Sequence, residues 1–181
     1  MSKVYLFCAD GFEEVEGLTA VDLLRRAGCE VKLVSIMGRK AVTGSHDIKI
    51  ETDMFFEEIK EDADMYVLPG GLPGTTYLKE HEGLAALLRR QYEKGASWLC
   101  AICAAPSVFE GLGFLKGRRA TSYPGCLSGE GVTLTKDPVE VDGRIVTSRG
   151  VGTAIPFALK LISLLKGEDE AKKIAESILY C

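Results

Sequence analysis

The sequence predicts an α/β fold built on a central, mainly parallel sheet. Three observations carry that expectation. Short apolar runs alternate along the chain with stretches of helical periodicity. The first two apolar runs are separated by enough residues for a crossover helix, which parallel strands require. Glycine-containing turns close apolar runs at Asp10-Gly11, Pro69-Gly70-Gly71 and Arg149-Gly150.

The elements follow in order. The apolar run 4–9 reads as a strand closed by Asp10-Gly11. A helix over 13–27 comes next, with Asp10 and Glu13 spaced like a capping box and Gly28 as its stop. Residues 31–37 form the second strand. Residues 42–50 read as irregular or short-strand structure around a turn at Thr43-Gly44-Ser45-His46, and 53–59 as a loop or short strand. Residues 65–68 are strongly strand-like and stop at Pro69-Gly70-Gly71. A helix over 82–93 places Leu84, Leu87 and Leu88 on one face and is capped by Gly95. Residues 97–102 form the strand before Cys103, and 104–110 the helix after it. Residues 120–123 read as a short strand or loop. Residues 132–134 and 140–148 read as short strands, the latter turning at Asp142-Gly143. A helix over 153–166 carries Pro156 in its first turn, where proline is tolerated. A last amphipathic helix covers 168–179. No repeat, low-complexity segment or linker interrupts the chain, so a single domain over 1–181 is expected.

Composition narrows the function. Of 181 residues, 46% are hydrophobic and 27% charged, which suits a globular protein with a substantial core. The net charge of −4 and the absence of a basic stripe argue against nucleic acid as a partner. The N-terminal apolar run is too short for a signal peptide, and no run approaches the ~20 residues that span a bilayer. A cytoplasmic protein without a membrane partner is the expectation. Six cysteines (Cys8, Cys29, Cys100, Cys103, Cys126 and Cys181) fit free thiols in a reducing compartment better than a disulfide framework. No His/Cys cluster has metal-ligand spacing, and nothing implies a cofactor.

One cysteine is placed differently from the rest. Cys103 ends an apolar strand where small residues open a helix with Pro106 in its first turn. Backbone N–H groups and a helix dipole aimed at sulfur favour thiolate, so Cys103 is a candidate nucleophile with a depressed pKa. In an open sheet, ligands sit beyond the carboxyl ends of the strands. The segments 10–16, 69–71, 103–105 and 148–150 should therefore meet at one rim. Gly70 and Gly71, with the Ala104 N–H, form a candidate oxyanion hole, although glycines there also simply make a turn. Glu13 and Glu14 read as a solvated acidic helix start. Glu16, about one turn on, can point at the rim, where a carboxyl beside a thiolate is expected to hold a proton and serve as general acid or base. Cys100 and Cys103 spell C-x-x-C, but Cys100 lies inside the strand and reads as core. Cys126 is the better candidate for a resolving thiol.

Five motifs resemble one superfamily: Gly-Phe-Glu-Glu-Val-Glu, Val-Asp-Leu-Leu-Arg-Arg-Ala-Gly, Val-Leu-Pro-Gly-Gly, Ala-Ile-Cys-Ala-Ala-Pro and Thr-Ser-Arg-Gly-x-Gly-Thr. Together, in this order, they are similar to ThiJ/PfpI proteins, in the branch of the Parkinson-disease-associated deglycase and its bacterial relatives. The match runs from about Lys3 to the helix after Thr153. The resemblance implies a flavodoxin-like three-layer sandwich, the class I glutamine amidotransferase-like fold, and a homodimer. It implies Cys103 as a reactive, peroxide-sensitive cysteine, Glu16 as a protonated glutamate, and Gly70, Gly71 and Ala104 as turns around the sulfur. Arg26 and His46 fall on positions that approach the neighbouring subunit's site. The implied activities are glutathione-independent glyoxalase, deglycation, chaperone action and oxidative-stress protection, with small reactive aldehydes or glycated groups as partners.

The chain departs from that pattern at one place. Tyr123 stands before Pro124 where the deglycase has a histidine. With an unperturbed pKa near ~10, tyrosine is a poor general base at neutral pH. The only histidines are His46 and His81, and His81 reads as a surface residue. Three functions follow from these residues. The first is a cysteine-dependent glyoxalase or deglycase. The second is a redox-sensing or chaperone-like protein in which Cys103 is oxidised without significant turnover. The third, a peptidase or amidotransferase, lacks glycines on both sides of the cysteine and a downstream histidine.

Overall fold

A computed structural model describes residues 1–180; Cys181 lies outside the described residues. The first half of the chain runs β1 (Lys3–Cys8), α1 (Glu14–Arg26), β2 (Glu30–Ser35), β3 (Ala41–Thr43), β4 (Lys49–Glu51), β5 (Met54–Phe55), β6 (Met65–Leu68), α2 (Gly74–Glu80) and α3 (Glu82–Lys94). The second half runs β7 (Trp98–Ile102), α4 (Pro106–Gly111), β8 (Arg119–Ala120), β9 (Thr133–Leu134), β10 (Val139–Asp142), β11 (Ile145–Ser148), α5 (Ala154–Lys166) and α6 (Glu168–Ser177).

Seven strands form the central sheet in the order β10-β11-β7-β6-β1-β2-β5. Every neighbouring pair is parallel except β10 and β11, which are joined by the hairpin at Asp142-Gly143. The mainly parallel α/β architecture and its flavodoxin-like layering are thus as the sequence predicts. Side chains alternate across each strand and feed two cores. Val4, Leu6, Val31, Leu33, Val67 and Cys100 pack with α1, α5 and α6 on one face. Tyr5, Phe7, Tyr66, Leu68, Leu99 and Ala101 pack with α2, α3 and α4 on the other. Cys100 is fully buried in the first core, so the C-x-x-C spacing separates a core residue from the partly exposed Cys103 at the strand end.

Three local readings are corrected. Asp10 does not cap α1: it accepts the Thr43 N–H at 3.0 Å and pairs with Arg39, tying the β3–β4 hairpin to the end of β1. Glu13 is the cap, accepting the Glu16 N–H at 2.8 Å. Helix α2, which opens at Gly74 with two threonines, was not expected from its composition. His81 is not a free surface group; its Nδ1 accepts the Leu84 N–H at the start of α3, and its ring meets Phe56 edge-on.

Candidate active site

Cys103 sits where β7 ends, in the left-handed region at φ +65°. A residue with a side chain adopts that conformation only when its surroundings hold it there. Two main-chain hydrogen bonds do so. The Cys103 N–H donates to Ser148 O at the end of β11 (3.0 Å), and Cys103 O accepts the Tyr123 N–H (2.9 Å). The turn projects the thiol into a pocket of about 500 Å³ lined by Glu13, Glu16, Gly71, Tyr123, Pro124 and residues 149–153. These come from the carboxyl ends of β1, β6, β7 and β11 and from the loop after β8.

Glu16 lies at the floor of this pocket with 1% of its surface exposed. Its Oε2 accepts the Gly70 N–H at 2.9 Å. Its Oε1 is buried with no hydrogen-bond partner of standard geometry, and the carboxyl as a whole lies within hydrogen-bonding reach of the Cys103 thiol. A carboxyl so placed is stable when it carries the shared proton. Burial pushes its pKa up to about 7, against the opposing pull of the bonds from Cys103 and Gly70.

The thiol itself departs from expectation. Burial, then the charge of Glu16, push Cys103 up to about 12, and the backbone N–H groups of Ala104 and Gly71 only partly oppose this. The helix dipole contributes less than the sequence suggested because α4 is short and starts three residues after Cys103. The upward push from Glu16 exists only while Glu16 is charged. Once Glu16 holds a proton, repulsion is replaced by a donated hydrogen bond, so the pair titrates as a unit, uncharged below about pH 7 and sharing one negative charge above it.

The predicted oxyanion residues divide in two. The Gly70 N–H is engaged by Glu16, whereas those of Gly71 and Ala104 bear on the sulfur. Gly70 is glycine for a steric reason, because a Cβ there would stand 2.5 Å from Cys103 Cβ and 2.6 Å from Glu16 Oε2. The turn at 149–153 is held by Thr153, whose Oγ1 accepts the N–H groups of Arg149 (3.2 Å) and Gly150 (3.1 Å) and bonds Ser148 Oγ (2.8 Å). In the sequence Thr153 stands out only as the start of a helix and the end of a motif. A threonine three residues past a glycine at a strand end was the available signal for such a clasp.

Glu13 and Glu14 are not a solvated helix start; both are buried. Glu13 lines the pocket. Glu14 lies beneath His46, accepting its backbone N–H (2.7 Å) and pairing with its ring Nδ1 (2.9 Å), with Ser45 Oγ also donating (3.2 Å). Burial pushes Glu14 up, but these bonds outweigh it and hold the carboxyl at about 2. The same Glu14 contact raises the largely exposed His46. Glu13, Glu14 and His46 offer donor atoms within 4.8 Å of one another, the one such group with metal-holding spacing among the described residues. The His46 ring itself faces both carboxylates there, at 3.8 Å from Glu13 and 2.9 Å from Glu14. Arg26 pairs with Asp22 along α1 and lines a separate hollow beside Leu18 and Ile178, so it does not join the Cys103 pocket within one chain. Cys126 is half-buried on the Tyr123 loop, its N–H donating to Tyr123 O. No helix among the described residues is long and apolar enough to cross a membrane.

Known proteins resemble this chain over nearly its whole length. Residues 2–164 match the model of the DJ-1/PfpI family. Protein dj-1beta of Drosophila melanogaster is 39% identical, with 99% of this chain and 98% of that protein covered. A deglycase of Pyrococcus abyssi is 33% identical over 91% of this chain and 99% of its own length. The structure of oxidized Toxoplasma gondii DJ-1 superimposes with a TM-score of 0.94 at 34% identity, covering 100% of both chains.

Proposed function

The chain belongs to the DJ-1/PfpI family, and on that premise we propose that it is a cysteine-dependent stress-protection enzyme acting on reactive 2-oxoaldehydes or their adducts. The observation that carries this reading is the buried Glu16 carboxyl within hydrogen-bonding reach of the Cys103 thiol. It puts a nucleophile and a proton carrier on adjacent sides of one pocket. The deglycase name of the P. abyssi relative supports the same substrate class.

The chemistry follows from the two residues. The thiolate adds to the aldehyde carbon, and the resulting alkoxide takes the proton held by Glu16 to give a hemithioacetal, leaving Glu16 ionised. The N–H groups of Gly71 and Ala104, aimed at the sulfur, lie where that oxygen develops charge. Ionised Glu16 takes the proton from the former aldehyde carbon and delivers it to the neighbouring carbon, while the proton of the first hydroxyl moves to the neighbouring oxygen, giving a thioester of a 2-hydroxy acid. Water cleaves the thioester, releasing the 2-hydroxy acid and restoring the thiol. The net change is addition of one water to the oxoaldehyde. Tyr123 has no base role in this sequence.

The test is lactate production from methylglyoxal by purified protein. Lactate is expected from the wild type and none from Cys103→Ala; equal yields from both sink the reading. The reading includes a cytoplasmic homodimer in which Arg26 and His46 approach the partner's site. Exposed Val15 and Ile48, at the start of α1 and beside the His46 turn, support such a contact.

A second reading is favoured by the donors around the sulfur. Cys103 would be oxidised to sulfinate by two peroxides, each delivering one oxygen and leaving as water. The oxygens would meet the Gly71 and Ala104 N–H groups and protonated Glu16. Mass spectrometry after mild peroxide should find two added oxygens on Cys103 before any other cysteine. Uniform oxidation of the accessible cysteines would exclude this reading.

A further inference from the structure

We propose that Tyr123 makes the pocket selective for carbonyl compounds bearing an aromatic substituent beside the reacting aldehyde. This rests on the aldehyde reading above and names the substrate class within it.

Tyr123 is tied to the reacting residue by its main chain. Its N–H donates to Cys103 O, and its own carbonyl accepts the Cys126 N–H at 3.1 Å and the Ser122 hydroxyl at 2.9 Å. The backbone is thus fixed while the side chain stands free, with 56% of the residue exposed. Among the described residues nothing hydrogen-bonds the Tyr123 hydroxyl, so the ring rather than the hydroxyl is what the pocket uses. The missing side chain of Gly150 leaves a space between them: a Cβ there would lie 3.6 Å from Tyr123 Cδ2, 3.8 Å from Glu16 Oε1 and 3.9 Å from Cys103 Sγ. A carbonyl carbon attached to the sulfur occupies that neighbourhood. Its substituent then runs along the Tyr123 ring.

The rest of the lining points the same way. Pro124 and the half-exposed Val151 continue the apolar wall, and the charged members besides Glu16 are Glu13 and Arg149. A methyl substituent leaves most of a cavity of about 500 Å³ to water. A phenyl substituent removes apolar surface of Tyr123, Pro124 and Val151 from water and gains an offset ring contact.

The probe pair is phenylglyoxal, yielding mandelate, against methylglyoxal, yielding lactate. The quantity read is the ratio of their kcat/KM values in wild type, Tyr123→Ala and Tyr123→Phe; comparing ratios cancels the difference in intrinsic reactivity. The ratio is expected to fall about tenfold in Tyr123→Ala and to stay within about twofold of wild type in Tyr123→Phe, with the loss carried by KM for phenylglyoxal. The same ratio in all three proteins overturns the proposal. Failure of the wild type to turn over either aldehyde overturns the aldehyde reading instead. In that event the alkylation rates of Cys103 by 2-bromoacetophenone and bromoacetone decide for Tyr123 by the same comparison. A preference lost only in Tyr123→Ala upholds it, and an unchanged ratio rejects it.

Discussion

Gly70 and Cys103 meet so closely that a single added carbon at Gly70 would stand 2.5 Å from the cysteine Cβ. The turn after β6 therefore sets the position of the sulfur at the end of β7, while the Gly70 N–H sets the position of Glu16. One residue without a side chain aligns both groups of the proposed chemistry.

Gly70→Ala should accordingly disable the site before it unfolds the chain. Loss of stability of about 1–3 kcal/mol is expected from the overpacked turn. Turnover should drop by about 100-fold, because displacement of a reacting group by even an ångström is that costly. Gly111→Ala, where an added Cβ meets nothing within 4 Å, is the control. Thermal melts and lactate formation on both variants check the contrast; an active Gly70→Ala would show that the turn is not what aligns the pair.

Glu16 gives the protein two opposite responses to pH. Its carboxyl is raised from 4.5 to about 7 by burial, so the folded chain keeps a proton that the unfolded chain releases. That contribution to stability is full below about 4.5 and is lost as pH rises through about 7. Activity runs the other way. The Cys103–Glu16 pair must give up one proton before it reacts, so turnover should climb about tenfold between pH 6 and pH 8. Glu16→Gln should abolish turnover and, relative to wild type, gain stability on going from pH 4 to pH 8. Melting temperatures that track each other across that range would contradict the assignment.

The Glu14–His46 pair should show a bounded window. Glu14 is held at about 2, so its contribution is present above its ordinary 4.5 and fades as pH falls toward 2. His46 is raised, so its contribution is present below 6.5 and fades as pH rises through its folded value. His46→Ala is therefore expected to lower the melting temperature most between about pH 4.5 and 6.5, and less at pH 3 or pH 9. A deficit that is constant with pH would mean that His46 acts by packing alone.

Thr153→Val removes the acceptor for two N–H groups and a bond to Ser148 while keeping the side-chain shape. A cost of about 1–3 kcal/mol is expected, since those groups lose their partner. The Arg149–Gly150 wall should loosen, raising KM more than it lowers kcat. Unchanged KM with reduced stability would place Thr153 in the scaffold only.

Much of this site was legible because strand ends are legible. Residues 65–68 and 98–102 are continuous apolar runs, as strands buried on both faces must be, and each stops at a residue that turns the chain. Cys103 and Gly70 follow from that punctuation. What the sequence hid was depth. Glu13 and Glu14 look like the usual acidic first turn of a helix, but the β3–β4 hairpin folds over them and brings His46 within bonding distance. No local pattern announces that cover, which depends on contacts some thirty residues apart. Asp10 was misread for the same reason, since its partners are Thr43 and Arg39 rather than the helix beside it. The thiol pKa was misjudged because helix direction can be read from sequence while desolvation cannot.

The sulfur is fixed by main-chain bonds to Ser148 and Tyr123, and its acid partner arrives on α1 from the other end of the chain. None of these contacts exists until β1, β6, β7 and β11 have docked. A chain caught midway has an ordinary thiol titrating near ~8.5, with no carboxyl to share its proton. The alkylation profile of Cys103 is therefore a built-in reporter of tertiary assembly, able to separate a native sheet from a collapsed one in samples whose helix content is the same.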